Sequence, residues 1–285
     1  MKTILIPTDF SANAEHAAVY GYNLAKQLSY NVILCNAVTV PAETPQAGLV
    51  AWPMEEYDIL MNGSTDDLNE LKNKLIEKNK DEEFKPDIKC ISDVGYVAEV
   101  VNEIVASQKI DLVVMGAHGS NGLNQFLLGN HAKGMIDAVL KPLLLVPNTA
   151  VVTPIKKIAF ATDFNKIEAD LKFIYELIPL AKTLNAEILI THVYSDKDDH
   201  AKYEKAMARF ITELSNKADY PNIYYRIVTN DSAEAGLDWV CEHGQIDILA
   251  MVHRPHNFFD SLLKGSHTKR MSNRIGVPLL VFQGR

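Results

Sequence analysis

Cysteine is scarce in this sequence, with only three among 285 residues. Cys35, Cys90 and Cys241 stand far apart with no C-x-x-C spacing. That excludes a disulfide scaffold and a paired-cysteine zinc or redox motif, and reads as buried thiols in a reducing cytoplasm. Long hydrophobic runs are missing too: none approaches the roughly 18 residues a membrane span needs. Met1-Lys2-Thr3-Ile4 leads straight into a strand rather than a signal peptide, so a cytoplasmic location away from membranes is expected. Basic residues are in deficit, 28 Lys and Arg against 36 Asp and Glu, for a net charge of −8. Non-specific nucleic-acid binding relies on the opposite balance. The nine histidines form no H-x-x-x-H or H-E-x-x-H spacing, so no metal site is expected.

What is present is a repeat. Thr8-Asp9-Phe10 follows one apolar strand and Thr162-Asp163-Phe164 follows another. Gly129-Asn130-His131 precedes Lys141-Pro142-Leu143-Leu144-Leu145-Val146, as Gly265-Ser266-His267 precedes Val277-Pro278-Leu279-Leu280-Val281-Phe282. The offset is 154 at Asp9/Asp163, 156 at Leu28/Leu184, and 136 from Asp111/Asp247 to Pro142/Pro278. The second copy is thus shorter by 20 residues net, lost between its second and fourth strands. So long a period means duplicated domains rather than a solenoid, and each copy has a size that can bury its own core. The expected domains are 1–149 and 154–285, with a short Pro-flanked boundary near Asn148–Pro154 that favours packing of one copy on the other.

Each copy alternates strand and helix. In the first, strands are expected at Thr3–Pro7, Val32–Val38, Ile88–Ser92, Leu112–Gly116 and Leu143–Val146. Helices are expected from the Ser11 cap to about Leu28, over Thr65–Asn79, over Val97–Ser107, and from Asn130. In the second, strands fall at Lys157–Ala161, Glu187–Val193, Ile223–Val228, Ile246–Met251 and Leu279–Phe282. Its helices end at Leu184, start near Asp198, cover Ala233–Glu242 and cover Gly265–Ile275. Near-continuous apolar strands alternating with amphipathic helices define an α/β class with a parallel sheet covered on both faces. Right-handed crossovers make it doubly wound, with a ligand crevice at the carboxyl ends of the strands where strand order reverses.

That rule brings Pro7, Thr8 and Asp9 to the crevice mouth, with the segment from Gly116 to Gly129 opposite. Gly116 and Gly119 let backbone N–H groups approach a ligand, and a helix starting at Asn130 adds a dipole end suited to phosphate. Asp9 faces the same space as an acceptor for ribose or adenine groups. Each residue also has a purely structural reading: glycines shaping a turn, Asn130 as an N-cap, and Asp9 capping the first helix.

Together these residues resemble the universal stress protein family, across both copies nearly end to end. The resemblance is carried by Pro7-Thr8-Asp9-Phe10-Ser11, by Asp111-Leu112-Val113-Val114-Met115-Gly116, and by Lys141-Pro142-Leu143-Leu144-Leu145-Val146-Pro147. It implies two Rossmann-like domains of the adenine nucleotide α-hydrolase-like kind in tandem. Some members of that family bind ATP through G-x2-G-x9-G-(Ser/Thr) and others do not, so the resemblance allows ATP or another adenine nucleotide, with or without Mg, as the cofactor. By resemblance the nucleotide seat comprises Pro7, Thr8, Asp9, Ala37, Met115, Gly116, His118, Gly119, Gly129, Asn130 and His131. The resemblance further implies dimer-like association through the last strand, which a tandem chain satisfies within one molecule as an intramolecular pseudo-dimer, with a further homodimer open.

Both copies depart from the binder pattern. Asn130 stands where Ser or Thr is expected, keeping the cap and an NH2 donor. In the second copy Val252 and Pro255 replace the first two glycines, disfavouring positive φ and removing an N–H donor. Its candidate crevice is Asp163, His253, Arg254, Gly265 and Ser266, where converging His and Arg side chains suit an anion or a pH response. No G-x-S-x-G elbow or Walker A motif occurs, so no enzyme is expected, apart from incidental ATP hydrolysis assisted by Asp9. Three readings follow: a stress-response protein regulated by ATP or a related adenine nucleotide in the first copy, a nucleotide-independent protein-interaction module, and a weak ATPase.

Overall fold

The computed structural model describes residues 1–39, 54–77, 84–117, 130–194, 200–254 and 276–284. Its first half runs β1 (Thr3–Pro7), α1 (Ala12–Leu28), β2 (Asn31–Val38), α2 (Met54–Glu77), β3 (Ile88–Val94), α3 (Val97–Ser107), β4 (Leu112–Gly116), α4 (Asn130–Ala138) and β5 (Leu143–Val146). The second half runs β6 (Lys157–Ala161), α5 (Ile167–Leu184), β7 (Glu187–Tyr194), α6 (His200–Lys217), β8 (Ile223–Thr229), α7 (Ala233–His243), β9 (Ile248–His253) and β10 (Leu279–Gln283). These ten strands form one sheet in the order β3-β2-β1-β4-β5-β10-β9-β6-β7-β8. Neighbours are parallel within each half, as apolar strands joined by helical crossovers must be. The exception is the centre, where β5 and β10 pair antiparallel with Leu144 opposite Leu280.

Strands this apolar are buried on both faces. Ile4, Leu5 and Ile6 are all fully buried, and their alternation divides the core into two layers. Ile4, Ile6, Val114 and Phe160 face α1, α2, α5 and α6. Leu5, Val113, Met115 and Ala159 face α3, α4 and α7. Both layers run through the central β5–β10 pair, so the halves share a core as well as a sheet. Helix α1 lies close on the sheet because Gly21 has no side chain: a Cβ there would meet Ile6 Cδ1 at 2.7 Å.

The duplication survives in backbone detail. Ser11 caps α1 by accepting from the Ala14 N–H at 3.3 Å. Helices α1 and α5 both end on a left-handed residue, Ser29 and Asn185. Just after β1 and β6, Phe10 and Phe164 hold φ of 59° and 55°. A bulky aromatic in that region is strained, by about 1–3 kcal/mol, and the strain recurs at the same turn in both halves.

Three expectations shift. Helix α2 begins at Met54 rather than Thr65. Ser64 lies inside that helix, buried and hydrogen-bonded against the sheet. The expected start of α6 near Asp198 lies outside the described residues, and β9 starts at Ile248 and extends to His253, where it pairs with Gln283. Of the cysteines only Cys35 is fully buried, while Cys90 and Cys241 are half-buried. Burial pushes the Cys35 and Cys241 thiols up to about 12, far from nucleophilic behaviour. The expected Gly265–Ile275 helix and the apolar stretch 47–53 lie outside the described residues. No described helix is long and apolar enough to cross a membrane.

Candidate functional site

In the first half, strand order reverses between β1 and β4, which are direct neighbours through Ile4–Leu112 and Leu5–Val113. A crevice opens at the carboxyl ends of such a pair. Pro7 ends β1, opposite Cys35 of β2. The next residue, Thr8, is buried, and its N–H donates to the Cys35 carbonyl at 2.8 Å. Thr8 Oγ1 accepts from the Phe10 N–H at 3.0 Å, fixing the strained turn. Asp9 is exposed, and its Oδ1 accepts from both the N–H of Ser11 at 3.1 Å and the Ser11 hydroxyl at 2.5 Å. The cap of α1 is therefore Ser11, and Asp9 is the group that holds the cap.

On the other side of the reversal, Met115 is buried and Gly116 ends β4 opposite Val146. Ala37, on β2, is half-buried against the α3 layer. Asn130 and His131 open α4, making Asn130 its first helical residue. His118, Gly119 and Gly129 lie outside the described residues.

A polar chain missing from the expected residue set braces this turn from behind. Asn36 Nδ2 donates to the Thr8 carbonyl at 2.7 Å. The Ser64 hydroxyl donates to Asn36 Oδ1 at 2.9 Å and lies 2.7 Å from the Ser92 hydroxyl. Buried polar groups are retained when satisfied, and these tie β1, β2, β3 and α2 together at the crevice. The one sequence signal was Asn36 itself, a polar residue near the carboxyl end of an apolar strand.

The second half makes the same turn with different side chains. Thr162 N–H donates to the Thr191 carbonyl at 3.0 Å, and Thr162 Oγ1 accepts from the Phe164 N–H at 3.0 Å. Asp163 Oδ1 accepts from the Asn165 N–H at 2.9 Å. His192, which the offset of 156 aligns with Asn36, places Nδ1 at 2.8 Å from the Thr162 carbonyl. Its ring lies 4.9 Å from that of Phe164, which meets Phe210 edge-on at 5.1 Å. Phe210 is fully buried.

Two expectations for this half are corrected. Arg254 does not stand ready for an external anion: it is buried, and its Nη2 donates to Asp170 Oδ1 at 2.6 Å. The other carboxylate oxygen of Asp170 accepts the Thr162 hydroxyl at 2.5 Å. His253 does not converge with it, because its Nε2 lies 3.1 Å from Asp137 Oδ1 in α4 of the first half. Gly265 and Ser266 lie outside the described residues.

The ion pair is nearly sealed, with side-chain exposures of 6% for Arg254 and 2% for Asp170. Burial pushes the Asp170 carboxyl above its ordinary range, against the pull of Thr162 and of the Arg254 guanidinium. Short charge-assisted bonds of this kind are strong and directional, so Arg254 is committed. Asp170 escaped sequence reading because an acidic residue in a first helical turn reads as a dipole partner. The same offset aligns it with buried Ala14 of α1, and that contrast was the available signal.

Comparison with known proteins fixes the family. The universal stress protein family model matches residues 1–147, and the chain belongs to that family as a tandem member. The universal stress protein MJ0577 of Methanocaldococcus jannaschii is 32% identical over 155 residues, covering 51% of this chain and 94% of that protein. Universal stress protein MJ0531 of the same organism is 32% identical over 146 residues, covering 51% and 81%. A universal stress protein from Archaeoglobus fulgidus matches in structure over 99% of this chain and 98% of its own, with TM-score 0.69 and 18% identity, and so shares the whole two-half fold.

Proposed function

We propose that the chain is a stress-response protein of two domains, 1–149 and 154–285, that binds ATP or a related adenine nucleotide in the first-half crevice. Its role is regulatory rather than catalytic: occupancy alters affinity for a protein partner. The observation that carries this reading is the first-half turn, where exposed Asp9 sits at the β1–β4 reversal beside the end of β4 at Gly116. One Asp9 oxygen is engaged by Ser11, and the side chain is otherwise presented to solvent at the crevice mouth. The seat comprises Pro7, Thr8, Asp9, Ala37, Met115 and Gly116, with His118, Gly119, Gly129, Asn130 and His131 as the phosphate side.

Any Mg would arrive with the phosphates. Among the described residues no group of three or more His, Cys, Asp or Glu forms a metal cluster, and Asp9 is the one carboxylate among the proposed seat residues. The Arg254–Asp170 pair beside the second-half turn supports a single seat, in the first half.

Calorimetric titration of nucleotide-stripped protein with ATP tests this, with Gly119→Val alongside. The expected result is saturable binding at one site per chain that the variant loses. No heat at saturating ATP would overturn it and leave the nucleotide-independent interaction module.

A further inference from the structure

The sheet has two outer edges, β3 and β8, and they are finished differently. Both backbone groups of a residue in a parallel ladder point to the same side, and successive residues alternate. At β8, the Asn222 carbonyl accepts from the Ile188 N–H and the Asn230 N–H donates to the Tyr194 carbonyl, both toward β7. The odd-numbered residues between them, Ile223, Tyr225, Ile227 and Thr229, therefore turn their N–H and C=O groups to the outer edge. Among the described residues nothing bonds those groups.

The β3 edge is guarded. There the outward carbonyl of Ile88 is taken by Lys72 Nζ of α2 at 2.8 Å, and Lys89 and Asp93 stand exposed along the strand. A lysine on an edge and charges along it are the ordinary defences against strand addition. On β8 the one charged residue is Arg226, while Tyr224, Tyr225 and Ile227 are 48%, 36% and 48% exposed.

The sequence of β8 is also self-complementary. Pairing it antiparallel with its own copy about Tyr225 sets Ile223 opposite Ile227 of the second copy. Tyr224 then falls opposite Arg226, whose guanidinium lies 6.0 Å from the Trp239 ring centroid of its own chain, so no like charges oppose, and Tyr225 falls opposite itself. All the outward backbone groups of Ile223, Tyr225 and Ile227 find partners in that register. Centring on Arg226 instead would place two guanidinium groups face to face, which like-charge pairs disfavour.

The geometry points to β8 as a homodimer edge, where a second copy of this chain adds its own β8 antiparallel about Tyr225 and continues the sheet across the two-fold axis. This edge is separate from the nucleotide crevice and does not depend on it.

Sedimentation equilibrium on the full chain is the test. The unmodified protein should reach twice the chain mass at high concentration. Ile227→Lys, at an exposed position, should weaken association by about tenfold or more while circular dichroism shows it folded. A register probe keeps the outcome independent of that variant. Under mild oxidation Tyr225→Cys should cross-link chains, since directly opposed hydrogen-bonded residues lie about 5.5 Å apart, and Tyr224→Cys should not. A chain that stays monomeric at every concentration, a dimer indifferent to Ile227→Lys, or equal cross-linking by both cysteine variants would overturn the proposal.

Discussion

At the ends of β1 and β6 the chain makes one turn twice, and the two turns are completed in opposite ways. Each has a threonine whose Oγ1 accepts the N–H two residues on, a left-handed phenylalanine, and an aspartate bonded to the second backbone N–H after it. Behind the first, Asn36, Ser64 and Ser92 brace the backbone and Asp9 is exposed. Behind the second, His192 and Phe210 pack against the Phe164 ring, tilted and edge-on, and Arg254 reaches in to Asp170. The backbone geometry is thus independent of what the crevice is for. A few side chains make the difference, and those of the second half satisfy one another beside the turn.

The largest effect expected from breaking this contrast comes from Asp170→Ala, which gives α5 the small residue that α1 carries at Ala14. It strands a buried guanidinium, and urea unfolding should show a loss of about 3–5 kcal/mol. Removing both charges with Asp170→Leu and Arg254→Met should recover most of it, because a packed apolar pair substitutes well for a buried ion pair. Failure of the double variant to recover would show that Arg254 holds more than Asp170.

A smaller effect is expected at Asp238, which the offset of 136 aligns with Asn102. Asn102 Nδ2 donates to the Ala138 carbonyl at 3.3 Å, whereas Asp238 Oδ1 is buried with no hydrogen-bond partner among the described residues. Burial first, then Glu242 and Glu234, push the Asp238 carboxyl up to about 6 from 3.8. A raised folded-state value means stability that is whole below the unfolded value and lost as pH rises through about 6. Asp238→Asn should therefore stabilise by about 1 kcal/mol at pH 7, allowing for solvent screening, and change little near pH 4. Thermal unfolding at the two pH values checks it.

The fold was legible in the sequence because its signals were local and repeated. Apolar strands such as Leu112–Gly116 and Leu143–Val146 and the helix Val97–Ser107 appear at their expected bounds. The start of α2 was not legible, since Gly63-Ser64-Thr65 mimics a cap and only the sheet reveals that Ser64 belongs inside a helix. The site divides the same way. Thr8, Asp9 and Gly116 follow from the topology rule. Asp170 and Arg254, 84 residues apart in sequence, meet only through tertiary packing, and Arg254 alone read as a crevice residue suited to an anion.

The central claim is that one crevice keeps a ligand seat and the other is closed on itself. Counting ATP molecules per chain by native mass spectrometry tests it most directly, on the unmodified protein, Asp9→Ala and Asp163→Ala. One nucleotide per chain, weakened by Asp9→Ala and untouched by Asp163→Ala, is the predicted result. Two per chain, or a single nucleotide lost with Asp163→Ala, would contradict it.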